Sequence, residues 1–270
     1  MVEAGPENGP LVILLHGFPE FWYGWRHQID ALAEAGFRVL APDQRGYNLS
    51  DKPKHVRNYN LDLLAQDVVG LIDGLGREKA FLVGHDWGGA AAWWVAIKYP
   101  ERIERLAILN SPHPRVMRRN LLHNREQRKK SWYFFLFQFP FLPERRMRRN
   151  NWDIGKRALQ RTSQKGTFSN ADVARYRKAW SQPGAATGML NWYRAAFRSR
   201  PARVRNTRVI VPTLIIWGER DKFLRRELAE QSAELCDAGK LVFIEEATHW
   251  VQHEEAQRVN ELLLEFLKTN

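Results

Sequence analysis

Asp86 is the residue on which a reaction is most readily built. It stands in Gly84-His85-Asp86-Trp87-Gly88-Gly89, directly after the apolar run Ala80–Val83. A sharp strand-to-helix turn that presents a reactive side chain needs small neighbours, because the helix packs close. Gly84, Gly88 and Gly89 supply them. The position that would hold serine in acyl transfer holds a carboxylate. A carboxylate attacks an electrophilic carbon and leaves a covalent ester, which suits a strained ether or a carbon–halogen bond. Aspartate is also a common helix N-cap, so the turn alone leaves both uses open.

Hydrolysing such an ester requires an activated water. His249, in Ala247-Thr248-His249-Trp250, is the expected base. His253, one helical turn on, is its rival and is expected to face solvent. Asp221, in Trp217-Gly218-Glu219-Arg220-Asp221, is expected to orient the imidazole and stabilise its cation, with Glu219 as the alternative. Asn110 closes another apolar run but cannot serve as an acid. The oxyanion of ester hydrolysis needs backbone donors. The N–H groups of Phe18, in His16-Gly17-Phe18-Pro19, and of Trp87 are the candidates. The chain order nucleophile, acid, histidine is that of the α/β hydrolases.

The elements that must position these residues are legible as short apolar runs. Leu11–Leu15 reads as a fully buried parallel strand ending at His16-Gly17. Phe37–Ala41, Ala80–Val83, Ile103–Leu109, Thr213–Trp217 and Leu241–Ile244 read the same way. Helices are expected over Trp22–Ala35, over Leu61 to about Leu75 with Asn60 as cap, after Asp86 to about Tyr99, near Arg225–Leu235, and over Gln257–Lys268. Alternating strands and helices give a parallel sheet covered on both faces. In such a sheet, ligands bind beyond the carboxyl ends of the strands, where Asp86, Asp221, His249 and His16-Gly17 all fall. The rhythm breaks over 115–208, which lack buried-strand runs and carry helical stretches rich in Arg, Trp, Phe and Tyr. A helical cap, 113–208, is therefore expected within an α/β core of 1–112 and 209–270. The aromatic run Trp132–Leu142 is expected to form the packing face of that cap.

The chain has 270 residues, 44% of them hydrophobic, enough for a sizeable core without disulfides or a structural metal. Its one cysteine, Cys236, excludes an internal disulfide and fits a reducing compartment. No segment reaches the roughly 20 apolar residues of a membrane span, and no secretory signal is visible, so a cytoplasmic location is expected. The net charge of +12 is uneven: residues 111–208 hold 24 Lys/Arg against 4 Asp/Glu, whereas the remainder is net negative. A solvated lid surface is the favoured reading, with contact to anionic lipid or nucleic acid as the alternative. No P-loop, dinucleotide glycine pattern or metal-ligand cluster is found, so neither a cofactor nor a metal is expected.

Taken together, these residues resemble the epoxide hydrolases of the α/β-hydrolase superfamily. The resemblance spans nearly the whole chain. It rests on His16-Gly17-Phe18-Pro19-Glu20, Pro42-Asp43-Gln44-Arg45-Gly46-Tyr47, the Asp86 turn, Asp221 and His249-Trp250. It implies two cap tyrosines that bind the epoxide oxygen and protonate the leaving alkoxide. Tyr133, in Ser131-Trp132-Tyr133, and Tyr193, in Asn191-Trp192-Tyr193-Arg194, match them. His16, Pro19, Phe137 and Trp250 are assigned to the substrate-binding surface. The implied reaction takes an apolar epoxide and water to a vicinal diol, by a monomer or homodimer. Nucleic acid is not an expected partner, and peripheral membrane contact through the basic cap stays open. Haloalkane dehalogenases share the aspartate turn and are the alternative, although Phe18 stands where many of them carry asparagine. The chain departs from the family in one respect: it starts near the end of the second of two strands that usually precede the first motif, so either a truncated start or a reduced sheet edge is expected.

Overall fold

The computed structural model describes residues 1–199 and 201–268. Along the chain run β1 (Val2–Ala4), β2 (Leu11–Leu15), α1 (Arg26–Glu34), β3 (Arg38–Ala41), α2 (Leu61–Gly74), β4 (Ala80–His85), α3 (Asp86–Lys98) and β5 (Ile103–Leu109). Six helical elements follow: α4 (Pro114–His123), α5 (Arg125–Lys130), α6 (Trp132–Leu136), α7 (Leu142–Thr162, broken by non-helical backbone at 149–152), α8 (Asn170–Trp180) and α9 (Ala185–Arg198). The chain then returns to β6 (Thr213–Gly218), α10 (Glu227–Ala233), β7 (Gly239–Ile244), α11 (Val251–Glu254) and α12 (Ala256–Lys268).

The strands form one sheet in the order β1-β3-β2-β4-β5-β6-β7. Only β1 is antiparallel, pairing Val2 with Ala41 and Ala4 with Val39. This three-residue strand is the edge that the apolar-run reading missed, because Val2-Glu3-Ala4 is too short and too mixed to stand out. The expected helix over Trp22–Ala35 is in fact a 3-10 turn, Trp22–Trp25, followed by α1. Asn60 does cap α2, its side chain accepting from the Leu63 amide.

Strand side chains alternate between faces. Ile13 and Leu15 face one layer with Val68, Trp93 and Leu228, which also reaches the cap at Trp180 and Trp192. Val12 and Leu14 face the other layer with Ile29, Leu32, Val259 and Leu263. Both faces of β2 are therefore buried, which is why its sequence is continuously apolar. Helix α3 is buried on nearly every side, so its alanines and tryptophans show no polar stripe.

The helical insertion is fastened to the core at one very close approach. Gly188 in α9 lies against Gly46, such that a Cβ at 188 would sit 2.4 Å from the Gly46 carbonyl oxygen. Four residues on, the Trp192 indole donates to the Arg45 carbonyl at 2.8 Å. These contacts fix the height of α9, and hence of Tyr193, above the sheet. Part of the aromatic run departs from expectation: Tyr133, Phe134 and Phe137 turn inward, but Trp132, Phe135, Phe139, Phe141 and Leu142 are exposed. The run cannot bury both sides, because α6 is a single layer with solvent on its outer face.

Gly188→Ala should force α9 outward. A stability loss of about 1–3 kcal/mol, typical of overpacking, is expected in denaturant unfolding. A wild-type melting curve would show that the contact is not limiting.

Candidate active site

The carboxyl ends of β2, β4, β5, β6 and β7 point the same way, because these strands are parallel. They deliver His16-Gly17, Asp86, Asn110, Asp221 and His249 to one rim. Asp86 has φ of 51°, a left-handed conformation that is uncommon for a residue other than glycine. The conformation is held from several sides. A Cβ at Gly88 would lie 2.1 Å from the Leu15 carbonyl oxygen, and one at Gly84 would lie 2.6 Å from the Gly88 oxygen. The Ser111 hydroxyl donates to the Asp86 carbonyl at 2.6 Å.

The Asp86 side chain is aimed between two groups. Its Oδ1 accepts from the Phe18 amide at 2.7 Å. Its Oδ2 lies 3.6 Å from His249 Nε2. The other ring nitrogen, Nδ1, is 2.7 Å from Asp221 Oδ2. Asp221 is in turn satisfied by the amides of Phe223 and Leu224 at 2.7 and 2.9 Å and by the Asn110 side chain at 2.8 Å. Trp87 is in the first turn of α3, where backbone amides lack intrahelical acceptors.

Burial works against charge on His249, yet the Asp221 carboxylate, followed by Asp86, pushes its pKa up to about 10. Burial likewise opposes charge on Asp221, but His249, Asn110 and the Leu224 amide hold its carboxyl below the usual range. Glu219 instead pairs with Arg226 at 3.1 Å and takes no part.

Tyr193 packs its ring against Phe18 and Trp87, with centroids 5.1 and 4.9 Å away. Tyr133 lies 5.9 Å from Tyr193, and 5.8 Å from Phe223, which itself covers His249 at 5.2 Å. Phe137 closes the cluster, 4.9 Å from Tyr193 and 5.7 Å from Phe18. Burial, then the nearby Asp86 charge, raises both phenols well above their ordinary value.

Three assigned positions take a different part. His16 is fully buried, and both ring nitrogens are engaged. The Gln44 amide donates to Nε2 at 3.0 Å, which leaves the proton on Nδ1 to meet the Gly17 carbonyl at 3.0 Å. It therefore braces the Phe18 loop and offers no free nitrogen to a substrate. Pro19, joined by a cis peptide to Phe18, is buried, and its carbonyl accepts from Trp180 Nε1 of the cap. Trp250 stacks edge-on behind His249 at 5.2 Å and donates to the Thr162 hydroxyl at 2.8 Å.

His253 does not face solvent. It is buried against Glu20, with Nε2 2.7 Å from Oε1. Arg26 donates to its Nδ1 at 2.8 Å, so the ring proton is on Nε2 and the imidazole is neutral. Both nitrogens being occupied, it cannot serve as the base. Sequence reasoning missed what it belongs to. Glu20, fully buried, also accepts from Tyr176 of α8 at 2.7 Å and from Gln252 at 3.0 Å, and lies 3.2 Å from His85 Nδ1. His85 Nε2 meets the His249 carbonyl at 2.8 Å. The residue before Asp86 thus holds the backbone of His249, and Glu20 holds that residue. An apolar motif ending in a glutamate was the available signal. Asn110 was dismissed as an acid, yet it fixes Asp221 and accepts from the Gly218 amide at 2.9 Å. Among the described residues, no group of His, Cys, Asp and Glu is arranged to hold a metal ion.

Comparison with known proteins identifies the family of the chain. Residues 10–256 match the family described as alpha/beta hydrolase fold. The chain is 49% identical over 265 residues to the AB hydrolase superfamily protein YfhM of Bacillus subtilis (strain 168), covering 98% of this chain and 92% of that one. It is 40% identical over 273 residues to Epoxide hydrolase 4 of Homo sapiens, covering 99% of this chain and 75% of that one. A crystal structure of Bacillus megaterium epoxide hydrolase in complex with an inhibitor superposes with a TM-score of 0.88 at 33% identity, covering 99% of this chain and 96% of that one.

Two titrations check the electrostatics. The His249 imidazole should titrate near about 10 by NMR, and both Asp221→Asn and Asp86→Asn should lower it, the former more. An unchanged value in Asp221→Asn would remove Asp221 as its main charge partner. Burial disfavours the Glu20 anion, but His253 and then His85 hold its pKa well below the ordinary carboxyl value. Its contribution to stability is therefore present above the unfolded value of about 4.3 and lost as pH falls through the folded one. Glu20→Gln should shrink the drop in melting temperature between about pH 6 and about pH 3; an unaltered drop would mean the anion contributes no such linkage.

Proposed function

The chain belongs to the α/β-hydrolase-fold family and, within it, to the epoxide hydrolases, and from that membership we propose that it converts an apolar epoxide to a vicinal diol through an ester on Asp86. The observation that carries this reading is the placement of the Tyr133 and Tyr193 phenols together in the aromatic cluster beside Trp87 and Phe18, where burial first and the Asp86 charge second raise their proton affinity. A nucleophile faced by two neutral acids suits a ring whose leaving group is an alkoxide that needs a proton.

In the first step, Asp86 Oδ2 attacks a ring carbon while Oδ1 keeps the Phe18 hydrogen bond. The carbon–oxygen bond of the ring breaks, and the alkoxide takes a proton from Tyr133 or Tyr193. The ester removes the Asp86 charge, and with it one of the influences that hold the His249 proton. His249 thereby becomes a better base in the intermediate than in the free enzyme. Its proton passes through solvent to the tyrosinate, and the neutral ring then takes a proton from water, whose oxygen adds to the ester carbonyl carbon. The oxyanion rests on the amides of Phe18 and Trp87. Collapse breaks the ester, releases the diol and restores the carboxylate. Asp221 stabilises the imidazolium, which is the resting form of the ring once the Asp86 carboxylate is restored. The helices of 113–208 act as the lid that carries both phenols. The reaction requires no cofactor or metal.

A halide-displacing reading keeps Asp86 but needs donors for halide; the Trp87 indole is one, and Phe18 is not. A substrate panel separates the two.

His249→Gln should trap the ester, seen as an intact-mass increase equal to one epoxide and located on Asp86. Absence of any adduct with an epoxide that the wild type turns over would refute the covalent route. Replacing both Tyr133 and Tyr193 by Phe should lower epoxide turnover by about 100-fold or more, the scale of general-acid catalysis, while leaving halide release from a haloalkane unaffected if that activity exists. Diol formation that survives the double substitution would sink the assignment of the acids.

A further inference from the structure

The outer side of α6 and the loop after it expose a row of large apolar side chains. Trp132 is 61% exposed, Phe135 45%, Phe139 58%, Phe141 83% and Leu142 54%. Phe135 also touches Phe197 of α9, 5.7 Å between centroids, so the apolar surface spans two helices. The loop is held in place, not left loose: the buried Arg194 donates to the carbonyls of Phe137 and Phe139 at 3.0 and 2.8 Å and pairs with Glu144 at 2.7 Å. Phe141 is presented in a left-handed conformation, φ 62°. Ordered aromatic tips this exposed are uncommon on a surface meant only for water.

Cations flank the row on both sides. Arg128 and Lys129 precede it, and Arg145, Arg146, Arg148 and Arg149 follow it, all exposed. Across residues 114–150 there are 11 Lys/Arg and 2 Asp/Glu. Glu126 neutralises Lys129, which it pairs at 2.9 Å, and Glu144 neutralises the buried Arg194, which lies outside this stretch, so the excess of positive charge stands. Among the described residues, Arg145, Arg146, Arg148 and Arg149 have no carboxylate partner within ion-pair distance.

We propose that this face docks on the surface of an anionic phospholipid membrane, with Phe139, Phe141 and Leu142 entering the headgroup boundary and the flanking arginines on lipid phosphates. The pairing of apolar tips with a cationic surround is the chemistry of interfacial binding. A second copy of the chain fits poorly, since a two-fold contact would set these cations against one another. Nucleic acid would use the arginines but would leave Leu142 and the outermost phenylalanine without an apolar environment. The docked face is the reverse of the helix that carries Tyr133, so an apolar epoxide dissolved in lipid would lie one helix away from the site. That use rests on the proposed function; the docking itself does not.

Vesicle flotation without substrate tests the docking alone. The probes are vesicles of phosphatidylcholine, and vesicles of phosphatidylcholine with phosphatidylglycerol, at about 0.15 M ionic strength, where screening acts over about 8 Å. Binding is expected to the anionic vesicles only. Phe139→Ser with Phe141→Ser, and separately Arg145→Gln with Arg146→Gln, should each weaken it by about tenfold or more. Both variants should keep wild-type melting and wild-type turnover of a water-soluble epoxide, which shows that they fold. No flotation with anionic vesicles would overturn the proposal. So would binding indifferent to the phenylalanine substitutions, which would be electrostatic adsorption, or displacement of vesicles by a short oligonucleotide. Sedimentation showing a dimer that Phe139→Ser with Phe141→Ser dissolves would likewise assign the face to a second copy.

Discussion

The backbone of Asp86 can hold its left-handed conformation only because helix α3 lies almost in contact with β2 and β4. The Gly88 Cα has no room for a Cβ beside the Leu15 carbonyl, and Gly84 has none beside Gly88. A non-glycine residue at positive φ persists where surrounding structure over-determines it. Here the surroundings are two parallel strands and the Ser111 hydroxyl. Everything else at the rim takes its distance from this turn. Phe18 reaches Oδ1, His249 faces Oδ2, and Tyr193 rests on Trp87 because Asp86 cannot move.

Charge is handled in two tiers behind that turn. Asp221 is buried and anionic, stabilised by His249, Asn110 and two amides. Glu20 is buried still more completely and gathers His253, Tyr176, Gln252 and His85. A buried carboxylate costs far more when its partners are incomplete than when they are complete. The second tier is therefore a fixed unit. Through His85 and the His249 carbonyl it connects the Asp86 turn to His249, and through Tyr176 it reaches α8. Core and cap share one hydrogen-bonded spine, reinforced where Gly188 meets Gly46.

The cap has two unlike sides because it is one helix thick over the site. Its inner side packs Tyr133, Tyr193 and Phe137 into one aromatic cluster with Phe18 and Trp87. Its outer side leaves aromatic tips and arginines exposed. No helix among the described residues is long and apolar enough to cross a membrane.

The order of strands and helices, the parallel sheet and the grouping of Asp86, Asp221 and His249 at one rim were legible in the sequence. Their signals are local: an apolar run of five residues, a turn crowded with glycine, a polar residue just beyond a strand. The tyrosines were visible only through resemblance, since an aromatic residue in a helix has the same pattern whether it packs or reacts. What tertiary structure alone decided was contact between distant segments. His253, expected in solvent, is buried because Glu20 lies across from it, 233 residues away in the chain. Asn110 proved a support for Asp221, and His16 a brace for the Phe18 loop. The strand β1 became a strand only by pairing with β3. Asp86 itself was identified by its neighbours in sequence. Which of its oxygens is pinned and which is free depended on an amide and an imidazole, 68 residues away in one case, brought together by parallel strands.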